Sequence, residues 1–282
     1  MIFGKSSRHL IRRKTGKVCR RLFKVKKILY TKKAIFAFSL CTQYIYFCNM
    51  SNFRFTRYDS FPPVVKNLII INALVWIAQL MFKSQDLTAK LGLWPVESDH
   101  FRPYQVVTHM FTHSPEGPFH ILFNMFTLYI FGRILENVWG AKRFLFFYLA
   151  CGIGAAIAHM TVDYFQYKEL LDVINRLEAT GNTLEADQLR DLPVYAVGAS
   201  GAVMGVMVAF AFLFPNTPLM IMFIPVPIKA KWVVIGFIAL DLFGGINPRQ
   251  GDNIAHFAHL GGAVTGFIIV WIWNKTNRKT LY

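Results

Sequence analysis

An all-α membrane protein, a bundle of six transmembrane helices, is the fold this sequence predicts. Three observations carry the prediction. Of 282 residues, 54% are hydrophobic and 16% are charged, too little charge for the surface of a soluble domain of this size. The apolar residues gather in runs of about 20, the length that crosses a hydrocarbon core of ~30 Å at ~1.5 Å per residue. The charges also sort by sign between alternate loops, as they do in chains inserted into a membrane.

Residues 1–63 form a basic N-terminal arm. Its first 50 residues hold 13 Lys/Arg and no Asp or Glu. Within it, 34–48 is apolar but short, and is interrupted by Thr42 and Gln43. Three readings are open: a signal-like segment behind an overlong basic region, an acid-free transit peptide, or an over-extended start. The last is preferred, because Met50-Ser51-Asn52 opens an ordinary short cytoplasmic leader. Residues 1–49 then stand outside the natural chain, and the arm is expected to be dispensable.

Residues 64–274 are expected to form the six-helix domain. Its spans are drawn at 64–82, 119–138, 144–162, 194–214, 232–244 and 254–273. The fifth, about 20 Å of helix, is too short alone and is expected to extend backward or to sit in thinned bilayer. Before it, 219–228 contains Pro225 and Pro227 and reads as an interfacial turn. An outer-loop insert, 164–193, carries Leu170, Leu171, Ile174 and Leu177 at the spacing of a short amphipathic helix. Residues 275–282 make a short basic cytoplasmic tail.

With the N-terminus inside, Lys142, Arg143, Lys229, Lys231, Lys275, Arg278 and Lys279 all fall on inner loops, and the acid-rich insert falls outside. Trp139, Trp232, Trp271 and Trp273 lie toward the inner interface, where indoles prefer to sit. The expected location is a bacterial cytoplasmic (inner) membrane, with both termini cytoplasmic. The net charge of +16 does not point to nucleic acid. The basicity belongs to the arm, which suits anionic lipid, and no nucleic-acid-binding motif accompanies it. The four cysteines imply neither a metal pair nor a disulfide framework. HExxH and phosphate-loop motifs are missing from the sequence.

Polar groups inside the apolar runs point to function. A polar side chain in hydrocarbon costs free energy unless it has a partner. Ser200 and His259 could form a nucleophile and its base. His120 and Asn124 share one helix face at i,i+4. Counted along ~1.5 Å per residue, all four fall in the outer third of the bilayer. Gly198, Gly201 and Gly205, with the Gly262-x-x-x-Gly266 pattern, thin the surfaces that would let these helices approach. Each residue also has a bland reading: a lone Ser is ordinary packing, and a lone His is a bridging hydrogen bond or a pore residue. His256 and His259 at i,i+3 could suggest a metal, but no carboxylate or Cys in the sequence completes that site, so no metal is expected. His100, His109, His113 and His159 read as interface residues.

Together these residues resemble the rhomboid family of intramembrane serine proteases, over roughly 64–273. Gly198-Ala199-Ser200-Gly201 is similar to the family's nucleophile motif. The run Ala258-His259-Leu260-Gly261-Gly262-Ala263-Val264-Thr265-Gly266 is similar to its base-bearing last helix. His120-Ile121-Leu122-Phe123-Asn124 matches its second-helix pattern, and Gly132-Arg133-Ile134-Leu135-Glu136 continues it. Two departures stand out. Phe101-Arg102 replaces the usual Trp-Arg pair, and Met204 replaces an aromatic residue one turn after the serine. The resemblance implies Ser200 as nucleophile and His259 as base. It also implies an oxyanion site made by the Ser200 backbone N–H with His120 and Asn124. With no carboxylate placed by sequence to orient His259, a dyad is expected rather than a triad. Asp241 is the one intramembrane acid to consider as a third member, and is expected at the outer mouth of span five. No cofactor is implied. The implied partners are the lipid bilayer and single-span membrane proteins cleaved near their outer end, where weak helix formers let the segment unwind. Span five and the loop 245–253 are the implied gate. Two alternatives remain open at this point: a catalytically silent membrane chaperone of rhomboid type, and a transporter lined by the same polar groups.

Overall fold

The computed structural model describes residues 59–82, 85–190, 192, 194–221, 224–247 and 255–276. The expectations for residues 1–49, and those for most of loop 245–253 and of the tail, lie outside the described residues. What is described is an all-α membrane protein. Four helices are long and apolar enough to cross a bilayer: Pro63–Met81, Phe119–Trp139, Ala141–Ala179 and His256–Thr276. Two shorter helices, Ser200–Leu213 and Ala230–Ile246, lie over the remaining predicted spans.

Helix α1 (Pro63–Met81) starts on Pro62-Pro63, where a missing N–H and a fixed φ suit the first turn. Its next two amides have a distant acceptor. Val64 and Val65 donate at 2.9 and 2.8 Å to the carboxylate of buried Glu136, a negative charge at the positive end of a helix. Farther along α1, buried Gln79 donates to the backbone oxygen of His113 and accepts from its N–H. This contact fastens the connecting segment, with short helices α2 (Leu87–Leu91) and α3 (Gln105–Thr108), to the bundle.

Helices α4 (Phe119–Thr127) and α5 (Arg133–Trp139) are one rod joined through a π-helical turn, Leu128–Gly132. Helix α6 (Ala141–Ala179) runs 39 residues without a break. The sequence reading ended this helix at 162 and began a separate one in the insert. The structure corrects that: between Gly154 and Gly181 there is no Gly or Pro to stop the helix. Its far end pairs with α7 (Thr183–Arg190), joined by the Arg190–Glu178 ion pair and a seam holding buried Ile174 and Ala186.

The fourth predicted span is also corrected. Helix α8 (Ser200–Leu213) begins six residues later than expected. The residues before it are extended, with Ala196 paired to Leu93 in an isolated bridge. The segment 219–228, read as a turn, is a hairpin of β1 (Pro218–Ile221) and β2 (Ile224–Lys229). A two-stranded ribbon has only edges, so Pro225 and Pro227 are tolerated in it. Helix α9 (Ala230–Ile246) gains two residues at each end over the expectation. Helix α10 (His256–Thr276) completes the bundle.

The core lies where α6, α8 and α10 meet. Residues 201–211 of α8 are all buried. A Cβ at Gly262 would collide with the carbonyl oxygen of Gly201, and one at Gly266 would lie 2.8 Å from Gly205. The two backbones therefore touch, which only glycine allows. At one end of the bundle Trp139 meets Trp273 edge-on, 5.2 Å between centroids, and Lys275 covers the ring of Trp271. Many large apolar side chains, such as Leu74, Phe119 and Leu240, face outward, as lipid-facing positions do.

Candidate active site

The site occupies the end of the bundle opposite Trp139 and Trp273. The starts of α4, α8 and α10 and the last turns of α9 meet there. Three contacts aim the chain into α8. Leu93 and Ala196 exchange both backbone hydrogen bonds at 2.9 Å, and Gly198 donates to the carbonyl oxygen of His109. Gly198 itself has φ +130°, a conformation other residues rarely adopt, and stops the helix from starting earlier. Ser200 is therefore the first residue of α8 rather than the seventh of a longer helix. As such its backbone N–H has no acceptor within the helix.

Ser200 Oγ lies 2.8 Å from His259 Nε2. His259 Nδ1 lies 2.9 Å from Asp241 Oδ1, and His256 Nδ1 approaches the same oxygen at 2.9 Å. A carboxylate can only accept, so each Nδ1 carries the hydrogen. That tautomer leaves His259 Nε2 with a lone pair for the Ser200 hydroxyl. The expectation that no carboxylate is placed against His259 is thereby corrected, because Asp241 lies within hydrogen-bond distance of its Nδ1. So is the statement that none accompanies the His256/His259 pair, because Asp241 reaches both from α9. Helix depth counted along the sequence had placed Asp241 at this level but says nothing about which way α9 is rotated. Among the described residues no cluster has the geometry of a metal site.

His120 and Asn124 lie on the adjoining wall. A methyl group on Gly198 would sit 3.1 Å from the His120 ring and 3.5 Å from Ser200 Oγ, so both border the bare side of that glycine. Asn124 is buried and spends one amide donor on the backbone oxygen of His120, which leaves a second N–H. It makes no direct hydrogen bond with Ser200. Gly201, Gly262 and Gly266 form the seam beneath. A small cavity with room for about one water borders Ser200, His109, Val197, Gly198, Gly201 and Ala258.

His109 and His113 are buried rather than interfacial. His109 Nδ1 meets the carbonyl oxygen of Gln105. His113 lies edge-on to His120, 5.2 Å between centroids, and burial beside that second imidazole pushes its pKa down to about 3, so it is neutral. Met204 is buried one turn into α8. Arg102, of the Phe101-Arg102 pair, folds back onto the carbonyl oxygens of Asp99 and Phe101.

The fold and this site define a class: a membrane protein of several helices that links a half-buried serine, a half-buried histidine and a buried aspartate in one hydrogen-bonded chain at one end of the bundle. The chain belongs to the rhomboid family, whose Rhomboid domain matches residues 100–276. It is 29% identical over 210 residues to RHOMBOID-like protein 12, mitochondrial, of Arabidopsis thaliana, covering 73% of this chain and 56% of that protein. It is 29% identical over 160 residues to Rhomboid protein 1, mitochondrial, of Saccharomyces cerevisiae, covering 57% and 39%. With Rhomboid protease AarA of Providencia stuartii it shares 26% over 221 residues, covering 72% and 69%. The chain thus spans about half of the Arabidopsis protein and less of the yeast one. The mitochondrial names give the expectation of a bacterial inner membrane no support.

Proposed function

We propose that the chain is an intramembrane serine endopeptidase of the rhomboid type. It would cleave single-span membrane proteins near the outer end of their membrane helix. The observation that carries this reading is the 2.8 Å contact between Ser200 Oγ and His259 Nε2. That is the spacing at which a base takes the hydroxyl proton, and it favours an enzyme over a silent chaperone or a transporter. One relative carries the word protease in its name.

In this reading Ser200 Oγ attacks the scissile carbonyl as its proton passes to His259 Nε2. The oxyanion is held by the Ser200 backbone N–H with His120 and Asn124 beside it. His259 returns the proton to the leaving amine, and the peptide C–N bond breaks. Water then attacks the acyl ester, gives a proton to the same nitrogen, and frees Ser200. A substrate helix must first unwind, since its backbone groups are already paired. Six membrane crossings with both termini on the inner side fit the placement of Lys142, Lys229, Lys231 and Lys275.

The test is cleavage of a single-span reporter by the purified chain, with fluorophosphonate labelling. Ser200→Ala should abolish both while leaving the melting temperature unchanged, since one hydroxyl is lost beside glycines. His259→Ala should be as inactive, and the double variant no worse, because residues that act as a unit are strongly non-additive. Cleavage that survives in Ser200→Ala would end the serine-protease reading.

A further inference from the structure

Helix α9 is the least buried of the helices at the site. Trp232, Ile235, Phe237, Leu240, Leu242, Phe243 and Ile246 all face outward. Its buried residues are Ala230, Val233 and Val234 near its start, and then Asp241. The one fully buried side chain in its outer half is therefore a carboxylate. A buried aspartate is a costly way to pack a helix unless its partners use the charge. Two imidazoles from α10, one turn apart, both address the single atom Oδ1.

The setting of the second imidazole is shaped as well. Gly244 follows Asp241 by one turn of α9, and a Cβ there would lie 2.5 Å from the ring of His256. A side chain at 244 would push His256 off the carboxylate. The absence of one lets the ring lie against α9 and reach Oδ1 beside His259.

We propose that Asp241 is the positioning residue for His259, and that His256, seated on Gly244, fixes the Asp241 carboxylate in place. This rests on the reading of Ser200 and His259 as nucleophile and base. Asp241 keeps the hydrogen on Nδ1, so Nε2 faces Ser200, and its charge balances the imidazolium formed when Nε2 takes the proton. The orienting group therefore stands on α9 while the base stands on α10. A base set in this way depends on the contact between the two helices.

The experiment uses the full chain in liposomes with the single-span reporter. It measures kcat and KM, thermal melting, and the rate of fluorophosphonate labelling at Ser200. Asp241→Asn keeps the shape and removes the charge. It should lower kcat by a hundredfold or more with KM within about threefold, as loss of the equivalent charge costs about 10⁴ in soluble serine proteases. His256→Ala should lower kcat by roughly tenfold, the size of one lost charge-assisted hydrogen bond of ~1.4 kcal/mol. His256→Asn, whose amide can still donate, should restore most of that loss. Gly244→Ala, which leaves every polar group in place, should slow labelling in the same sense as His256→Ala. A purely structural role would move the melting temperature and leave kcat of the folded protein unchanged. If Asp241→Asn melts early, the labelling rates of His256→Ala, His256→Asn and Gly244→Ala decide instead, and rates equal to the parent overturn the proposal. A kcat for Asp241→Asn within threefold of the parent, with Ser200→Ala inactive, would also overturn it and leave the serine-protease reading standing. Cleavage by Ser200→Ala would remove both.

Discussion

The two sides of the site are held by different physics. On one side α8 is buried along residues 201–211 and meets α10 backbone to backbone at Gly201–Gly262 and Gly205–Gly266. On the other side α9 turns most of its large side chains outward and reaches α10 at this end through Asp241 and the bare faces of Gly244 and Gly245. Backbone meeting backbone holds the first contact, and side chains around a shared proton network hold the second. Ser200, the proposed nucleophile, therefore sits on the helix with least freedom to shift, while Asp241, proposed to orient His259, sits on the helix with fewest packing constraints.

The sharpest way to break this contrast is to place one methyl group on each side. Gly262→Ala drives a Cβ into the carbonyl oxygen of Gly201. Neither backbone can yield without parting the helices, so the cost should reach or exceed the upper end of the ~1–3 kcal/mol typical of overpacking. The expected result is a large drop in melting temperature and loss of cleavage, because Gly201 adjoins Ser200. An unchanged melting temperature would show that the two backbones do not bear on each other at this seam.

Acid tests the wall of the site formed around His120, where His113 is buried. His113 has its folded pKa pushed down to about 3 by burial, against about 6.5 when unfolded. Below pH 6.5 the unfolded chain takes up a proton that the folded chain refuses. Stability from this residue is thus complete above pH 6.5 and falls by about 1.4 kcal/mol per pH unit as pH drops toward 3. His113→Gln removes the titrating group, so its melting temperature should fall less between pH 7 and 5 than the parent's. Parallel curves would mean that His113 is hydrated. The smallest effect is expected on the open side. Beyond its chain neighbours and the backbone of its own helix, no atom of the described residues lies within 4 Å of a Cβ placed at Gly236 of α9. Gly236→Ala should leave cleavage intact and raise stability by roughly 0.5–1 kcal/mol from helix propensity alone. A loss of activity there would mean that α9 is covered by something during the reaction.

Much of this was legible before any coordinates. Runs of about 20 apolar residues point to the helices of a membrane bundle, and polar groups near the starts of three of them point to one shared site. Two features escaped for physical reasons. Val194–Val197 is apolar enough to pass for helix, and its pairing to Leu93 is a contact 103 residues distant that leaves no periodic signal. Asp241 was placed at the right depth, but the facing of a helix coated all round in apolar residues cannot be read from its pattern. The long α6 could have been recognised. Leu170, Leu171, Ile174 and Leu177 were read as helical, and nothing between 155 and 180 breaks the run.

Among the described residues, Glu136 ties the beginning of the first membrane helix to the end of the second, 71 and 72 residues farther along the chain. A ribosome delivers those parts in order, at ~5–20 residues per second. For several seconds α1 exists without the carboxylate that receives its leading amides, and those amides must stay near water or another acceptor. The first span can settle to its final depth only after the second has been made, so these two helices mature as a pair in the order of synthesis.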